Sequence, residues 1–358
     1  MISSLKVLDL STVLAGPSVG TFFSELGADV LKIEHPIFFD VTRNWKQSIE
    51  KGNNVSSYFS SVNYRKTYRS LDLSQKTDRI ELDKLLQTAD ILLTNFKKAD
   101  YIKFNLTFNE LHELYPRLIH GRISGYGMDS NRVAYDLILQ AETGFMSMNG
   151  TLESGPVKMP VAMIDVIAAH QLKEGILIAL YNRLLSGKGE EVSVSLYDAA
   201  VTSLTNQASS YLMTGLVPER LGTLHPSIAP YGELFYTIDN CILTFAIGSD
   251  KQFEKLMFFI GKEIVILDQR FSSNTSRVVY RTELAEIISK EISLKTSVEV
   301  LNWSLENDIP CGKINDLAQV FQDTKVLKKI REEEIDGEIT KRVSSIAFQF
   351  TNDNKITG

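Results

Sequence analysis

The opening segment, up to Glu34, constrains the fold more than any other stretch of the chain. Residues 5–10 form a short apolar run of the kind that makes a buried parallel strand. Residues 11–17 carry turn chemistry, with Ala15-Gly16-Pro17 placing proline where a helix can begin. Val19, Phe22, Phe23 and Leu26 recur at helical spacing, Gly27 ends that helix, and residues 29–34 supply a second strand that finishes on Glu34.

Further α/β units follow. Residues 80–86 read as helix, 89–95 as a strand ending in Asn-Phe, and 118–125 as another strand. The pattern predicts a parallel sheet with helices on its faces. Residues 163–185 form a long helical candidate without proline, stopped by Ser186-Gly187-Lys188-Gly189, and 191–196 alternate as a strand. After about Thr214 the texture changes. Gly, Pro and His cluster through 222–232, and amphipathic helices are expected at 251–260, 278–291 and 297–307. The expected division is a large domain over 1–214, a linker over 215–225, a small α+β domain over 226–323 and a final segment over 324–358. That segment is read as a surface strand with a frayed tail from 354 to 358.

Composition narrows the function. A formal charge of -6 argues against a general nucleic-acid binder, whose partner requires a basic face. Two cysteines, Cys241 and Cys311, build no disulfide framework and lack metal-ligand spacing. No stretch approaches the ~20 uninterrupted apolar residues of a membrane span, and the start shows no signal-peptide pattern. A reduced, cytoplasmic protein without a membrane partner is the expectation.

Strand, glycine-bearing turn, helix and a strand ending in Glu34 also outline a dinucleotide-binding unit. The turn reads Leu14-Ala15-Gly16-Pro17-Ser18-Val19-Gly20 and lacks G-x-G-x-x-G, so a nicotinamide cofactor is not expected. There is no G-x-x-x-x-G-K-[ST] phosphate loop and no G-x-S-x-G elbow, and the five histidines lack H-E-x-x-H spacing. Neither a metal site nor a prosthetic group is expected. Asp165, near the start of the long helix between Met163, Ile164, Val166 and Ile167, reads as an acid stabilising a helix dipole or as a reactive carboxylate.

An ordered set of motifs points further. Lys6-Val7-Leu8-Asp9-Leu10, Leu14-Ala15-Gly16-Pro17, the run from Leu26 to Glu34, Asn63-Tyr64-Arg65-Lys66, Leu71-Asp72-Leu73 and Asn95-Phe96 come first. Ser124-Gly125-Tyr126-Gly127, Tyr135-Asp136, Gln140-Ala141-Glu142-Thr143-Gly144, Asp165 and Pro230-Tyr231-Gly232 follow. In order and spacing they resemble family III CoA-transferases, the CaiB/BaiF family, over nearly the whole chain. The resemblance implies a Rossmann-like large domain, a smaller domain, a return of the chain to the large one, and an interlocked homodimer.

It also implies a reaction. The aspartate matching Asp165 attacks an acyl-CoA thioester, giving a mixed anhydride and free CoA thiolate. The thiolate attacks back to give an enzyme–CoA thioester, and an acceptor carboxylic acid reverses the sequence. An ordinary carboxyl near ~4 is already ionised at neutral pH and needs no separate base. Coenzyme A and its acyl thioester are then substrates, with a small carboxylic acid as second partner. By position, Leu14, Ala15, Arg43, Leu71, Asp72, Leu73, Asn95, Phe96, Lys97, Lys103, Val133, Ala134 and Tyr135 match the family's CoA contacts. Arg43 and Lys103 read as phosphate partners or as surface charge, and Phe96 as a rest for adenine or as filler at the sheet edge. Asp136 stands where the family carries an acid near the nucleophile, or is an ordinary loop acid.

Several positions depart from the pattern. Leu14 replaces the glutamine of the formyl-CoA transferase branch, and Gly222-Thr223-Leu224-His225 is the nearest segment to that branch's glycine lid. The 2-methylacyl-CoA racemases of the same superfamily pair their aspartate with a histidine. Here Tyr135 holds that place, and tyrosine at ~10 is poorly poised for proton exchange at carbon. Racemisation is the alternative reading, and a non-catalytic CoA-binding protein the third.

Overall fold

The computed structural model describes residues 2–50 and 55–351. Six strands, β1 (Lys6–Asp9), β2 (Asp29–Glu34), β3 (Thr67–Ser70), β4 (Ile91–Thr94), β5 (Ile119–Ser124) and β6 (Glu191–Ser195), form one sheet. Its order is β3-β2-β1-β4-β5-β6, and every pair is parallel. All of β4 and nearly all of β5 are buried, as interior strands covered on both faces must be. Successive side chains alternate between those faces. Val7, Ile91 and Leu93 pack with the helices Ala15–Glu25 and Met163–Ser186, against Phe23, Leu172 and Ile176. Leu8 and Leu92 pack on the opposite side with the helices Lys76–Leu86 and Lys98–Lys103, against Leu82, Leu86 and Tyr101. The strand expected at 29–34 coincides with β2, and the helix expected at 163–185 gains one residue at Ser186. The strand order reverses between β1 and β4, which opens a crevice at their carboxyl ends.

Two compact units are formed from the described residues. One is drawn from Met1–Met146, Lys158–Pro218 and Lys328–Gly358, the other from Ser147–Val157 and Glu219–Leu327. The second unit holds an antiparallel sheet of β7 (Tyr231–Tyr236), β8 (Ile242–Ala246) and β9 (Cys311–Lys313). Helices Asp250–Phe259, Arg281–Ile292 and Ser297–Glu306 bury Phe253, Leu256, Ile288 and Val300 with Phe235, Leu243 and Phe245 of that sheet. The helix expected at 278–291 is broken at Tyr280, with a separate short helix Asn274–Val279 before it. Arg277, fully buried, donates to the carbonyls of Ala229 and Phe271 and to Asp250. Arg281 donates to the carbonyls of His225 and Ile228 and to Glu233. The Pro-rich stretch 225–230 is thereby fixed to the helices that follow it.

The end of the described chain is a hairpin, not a single surface strand. β10 (Ile330–Ile335) pairs antiparallel with β11 (Glu338–Val343). Ile335 packs on Val55 and Phe59, Arg342 pairs with buried Glu25 and Arg43 pairs with Asp336 in the hairpin's turn, so a polar ribbon is held to the first unit by an apolar plug and two ion pairs. The tail expected at 354–358 lies outside the described residues. No helix among the described residues is long and apolar enough to cross a membrane.

Candidate active site

The turn after β1 sits at the crevice. Gly16 is required there, because a Cβ would come within 2.3 Å of the Ser11 side chain. Val13 takes φ 74°, a costly conformation for a β-branched residue. Two side chains enforce it. Asn95, just beyond β4, accepts from Thr12 N–H at 3.0 Å and donates to the Thr12 carbonyl at 2.9 Å. The buried Asp40 carboxylate accepts from Val13 N–H at 3.1 Å and pairs with buried Lys32 at 3.2 Å. Beneath the turn, Asp9 and Lys66 form a second buried ion pair at 2.8 Å. Burial pushes Asp9 up, but Lys66 and Lys32 more than offset it and hold the carboxyl below its ordinary value.

Asp165 is the third residue of the long helix, and only 9% of its surface is exposed. The helix has no side-chain cap from its own N-cap residue, Ala162. Asp136 supplies one from another helix: its carboxylate accepts from Ile164 N–H at 2.8 Å. Burial, and then the charge of Asp136, raise the Asp165 carboxyl from 3.8 to about 7. The expectation of an ordinary carboxyl near ~4 is therefore corrected, since residue type alone carries no desolvation cost. Tyr58, on the helix Ser57–Ser61, was not anticipated. Burial and the charges of Asp165, Asp136 and Asp40 push its phenol up to about 12, and its ring packs edge-on against Trp45 at 5.1 Å. Its only signal in the sequence is an aromatic pair, Tyr58-Phe59, in an unremarked polar stretch.

The remaining residues sort by environment. Ala15 and Leu71 are buried in the sheet's two layers, and Leu14 and Leu73 are half-buried. Asp72 is tied to Ser74 in its own turn. Phe96 lies edge-on to Tyr101 and Phe104, so it fills the sheet edge with one side of its ring. Lys97 and Lys103 are exposed, the latter beside Phe104. Val133 and Tyr135 are exposed, while Ala134 presses on Gly125, where a Cβ would come within 2.5 Å. Arg43 is already engaged. Its guanidinium forks onto Glu34, pairs with Asp336 at 2.7 Å and stacks over Phe59 at 3.9 Å. The same contact covers Glu34, the carboxylate a dinucleotide ribose would need. Among the described residues, no group of three or more His, Cys, Asp or Glu could hold a metal ion.

The topology brings Leu14, Ala15, Asn95, Phe96 and the turn after β3 to the carboxyl edge of the parallel sheet, and Asp136 to the head of the helix carrying Asp165. Comparison with known proteins finds relatives over nearly the whole chain. Residues 2–355 match the model of CoA-transferase family III. A succinate–glutarate CoA-transferase of Agrobacterium fabrum is 33% identical, the match covering 91% of this chain and 82% of that protein. An acetyl-CoA:oxalate CoA-transferase of Acetobacter aceti is 31% identical over 88% of this chain and 81% of its own length. A CaiB/BaiF family protein from Brucella suis superposes with a TM-score of 0.85 at 30% identity, covering 98% of this chain and 93% of that one.

Proposed function

The chain belongs to CoA-transferase family III, and from that premise we propose that it moves CoA from an acyl-CoA donor to a free carboxylic acid through Asp165. The observation that carries this reading is Asp165 itself, a buried carboxyl at the head of a helix, raised to about 7 and within reach of the Asp136 charge. A carboxylate kept from water is a stronger base and nucleophile once ionised, and the same shelter protects an anhydride from hydrolysis.

In the first step an Asp165 oxygen bonds to the thioester carbon and the C–S bond breaks, leaving an aspartyl–acyl anhydride and CoA thiolate. The thiolate then attacks the aspartyl carbonyl, expelling the first acid as its carboxylate and leaving an aspartyl–CoA thioester. An acceptor carboxylate repeats both steps in reverse, so no proton is lost or gained overall. The first-turn amides of the long helix are suited to the developing oxyanions. Leu14, Ala15 and the loops following β3, β4 and β5 would hold the CoA. The names of the relatives, succinate with glutarate in one and oxalate as partner of acetyl-CoA in the other, favour a small dicarboxylic acid as at least one of the two acids.

A homodimer is part of the proposal. Leu177, Ile178, Tyr181, Leu184 and Leu185 form an exposed apolar stripe along the long helix, of a kind that solitary chains rarely leave in water. The test of the reaction supplies succinyl-CoA with isotope-labelled glutarate in deuterated water. Labelled glutaryl-CoA, without deuterium at the α-carbon, is expected. Deuterium uptake without CoA transfer would overturn the proposal in favour of epimerisation.

A further inference from the structure

We infer that Gln140 is a positioning residue for this reaction, holding the Asp136 carboxylate against the helix that carries Asp165. The inference rests on Asp165 being the nucleophile. Gln140 lies one helical turn after Asp136 in the helix Asp136–Glu142 and is fully buried. Its side-chain amide donates to Asp136 Oδ2 at 2.5 Å, while its own oxygen accepts from Met159 N–H at 2.8 Å. The other Asp136 oxygen, Oδ1, accepts from Ile164 N–H at 2.8 Å. The chain of bonds has one direction. A peptide N–H can only donate, so the Gln140 oxygen must face Met159 and its NH2 group must face Asp136. Both sides of the long helix's entry, Met159 before it and Ile164 within it, are thus tied to one pair of side chains.

The consequence for Asp165 is electrostatic. Asp136 is the carboxylate whose charge acts on Asp165, and both, with Asp40, act on the Tyr58 phenol. Other acids on elements packed against the long helix are engaged elsewhere: Glu25 with Arg342, Asp198 with Ser195, Glu191 with Arg122 and Glu142 with Arg132. Without Gln140, Asp136 Oδ2 loses its donor, and the half-exposed side chain is free to turn towards water. The charge then leaves Asp165, and Ile164 N–H loses its cap. A glutamate at 140 also withdraws the donor to Asp136, but it still accepts from Met159 N–H and so fixes a new, buried negative charge at the helix entry, which stays even if Asp136 turns away.

The experiment measures, from pH 5 to 9, the initial rate at which Asp165 becomes covalently modified by succinyl-CoA, with mass spectrometry mapping the site. In the unaltered enzyme, the midpoint of that rate reports the Asp165 carboxyl. Gln140→Met should move the midpoint down by about one pH unit and Gln140→Glu should move it up, by loss and gain of neighbouring charge. Folded variants whose midpoints equal the parent's overturn the inference, and so does loss of folding in both, which would mark Gln140 as structural only. If Gln140→Met alone fails to fold, the direction of the shift in Gln140→Glu decides. Absence of any modification in the unaltered enzyme would instead defeat the nucleophile reading.

Discussion

Replacing Asp165 with asparagine removes a carboxyl that folding holds at a disadvantage in its charged form. The unfolded chain ionises that group near 3.8, whereas the folded chain holds its proton up to about 7 through burial and the nearby Asp136. Stability from this site is therefore fully present below about pH 3.8 and is lost as the pH rises through about 7. At ~1.4 kcal/mol per pH unit over about three units, the loss amounts to about 4 kcal/mol by pH 8. Asparagine is nearly isosteric and does not titrate. The variant should therefore gain stability on the parent progressively from pH 4 to 8, and change little relative to it below pH 4. Urea denaturation at fixed ionic strength over that range gives the difference, and subtracting the two curves cancels the groups the substitution leaves alone. A stability difference that stays flat from pH 4 to 8 would refute the claim that Asp165 is buried with a raised carboxyl.

Three further outcomes follow from the same structure. The rate of CoA transfer should climb with pH to a plateau above about 7, because only ionised Asp165 attacks; a rate already level at pH 5 would contradict the raised carboxyl. Val13→Gly should change stability by less than about 1 kcal/mol, since glycine tolerates φ 74°. Val19→Gly, at a fully buried helical site, should cost about 3 kcal/mol or more, and thermal melts compare the two. Arg277→Leu strands the carbonyls of Ala229 and Phe271, and should destabilise the protein by about 3 kcal/mol in chemical denaturation.

The parts of the fold legible in the sequence are those whose burial is written into one side of a period. β1 and β2 each carry a short apolar core, Val7-Leu8 and Val30-Leu31 with Ile33, and the long helix repeats Ile164, Ala168, Leu172, Ile176 and Ala179 on its buried face. β3 escaped notice because Thr-Tyr-Arg-Ser is an edge strand with little to bury. The final hairpin reads in the sequence as a single surface strand because its strands are rich in charge, and what holds it is Ile335 with the Arg342–Glu25 and Arg43–Asp336 pairs, distant in sequence. For the candidate site, the resemblance pointed to Asp165 and to Asp136 as an acid near it, but not to the bonds that join them. The bond from Ile164 N–H to Asp136, the Gln140 clamp and the nearby Tyr58 join positions well separated in the chain. Arg43 shows the reverse case: a cation read as a phosphate partner is already committed to Glu34 and Asp336.

The central claim, that Asp165 carries the acyl group and then CoA, is met most directly by trapping. Incubation with succinyl-CoA, followed by hydroxylamine or borohydride and peptide mass spectrometry, should place a hydroxamate or a reduced side chain at Asp165. Modification at another residue, or transfer of CoA with Asp165 unmodified at every time point, would contradict it.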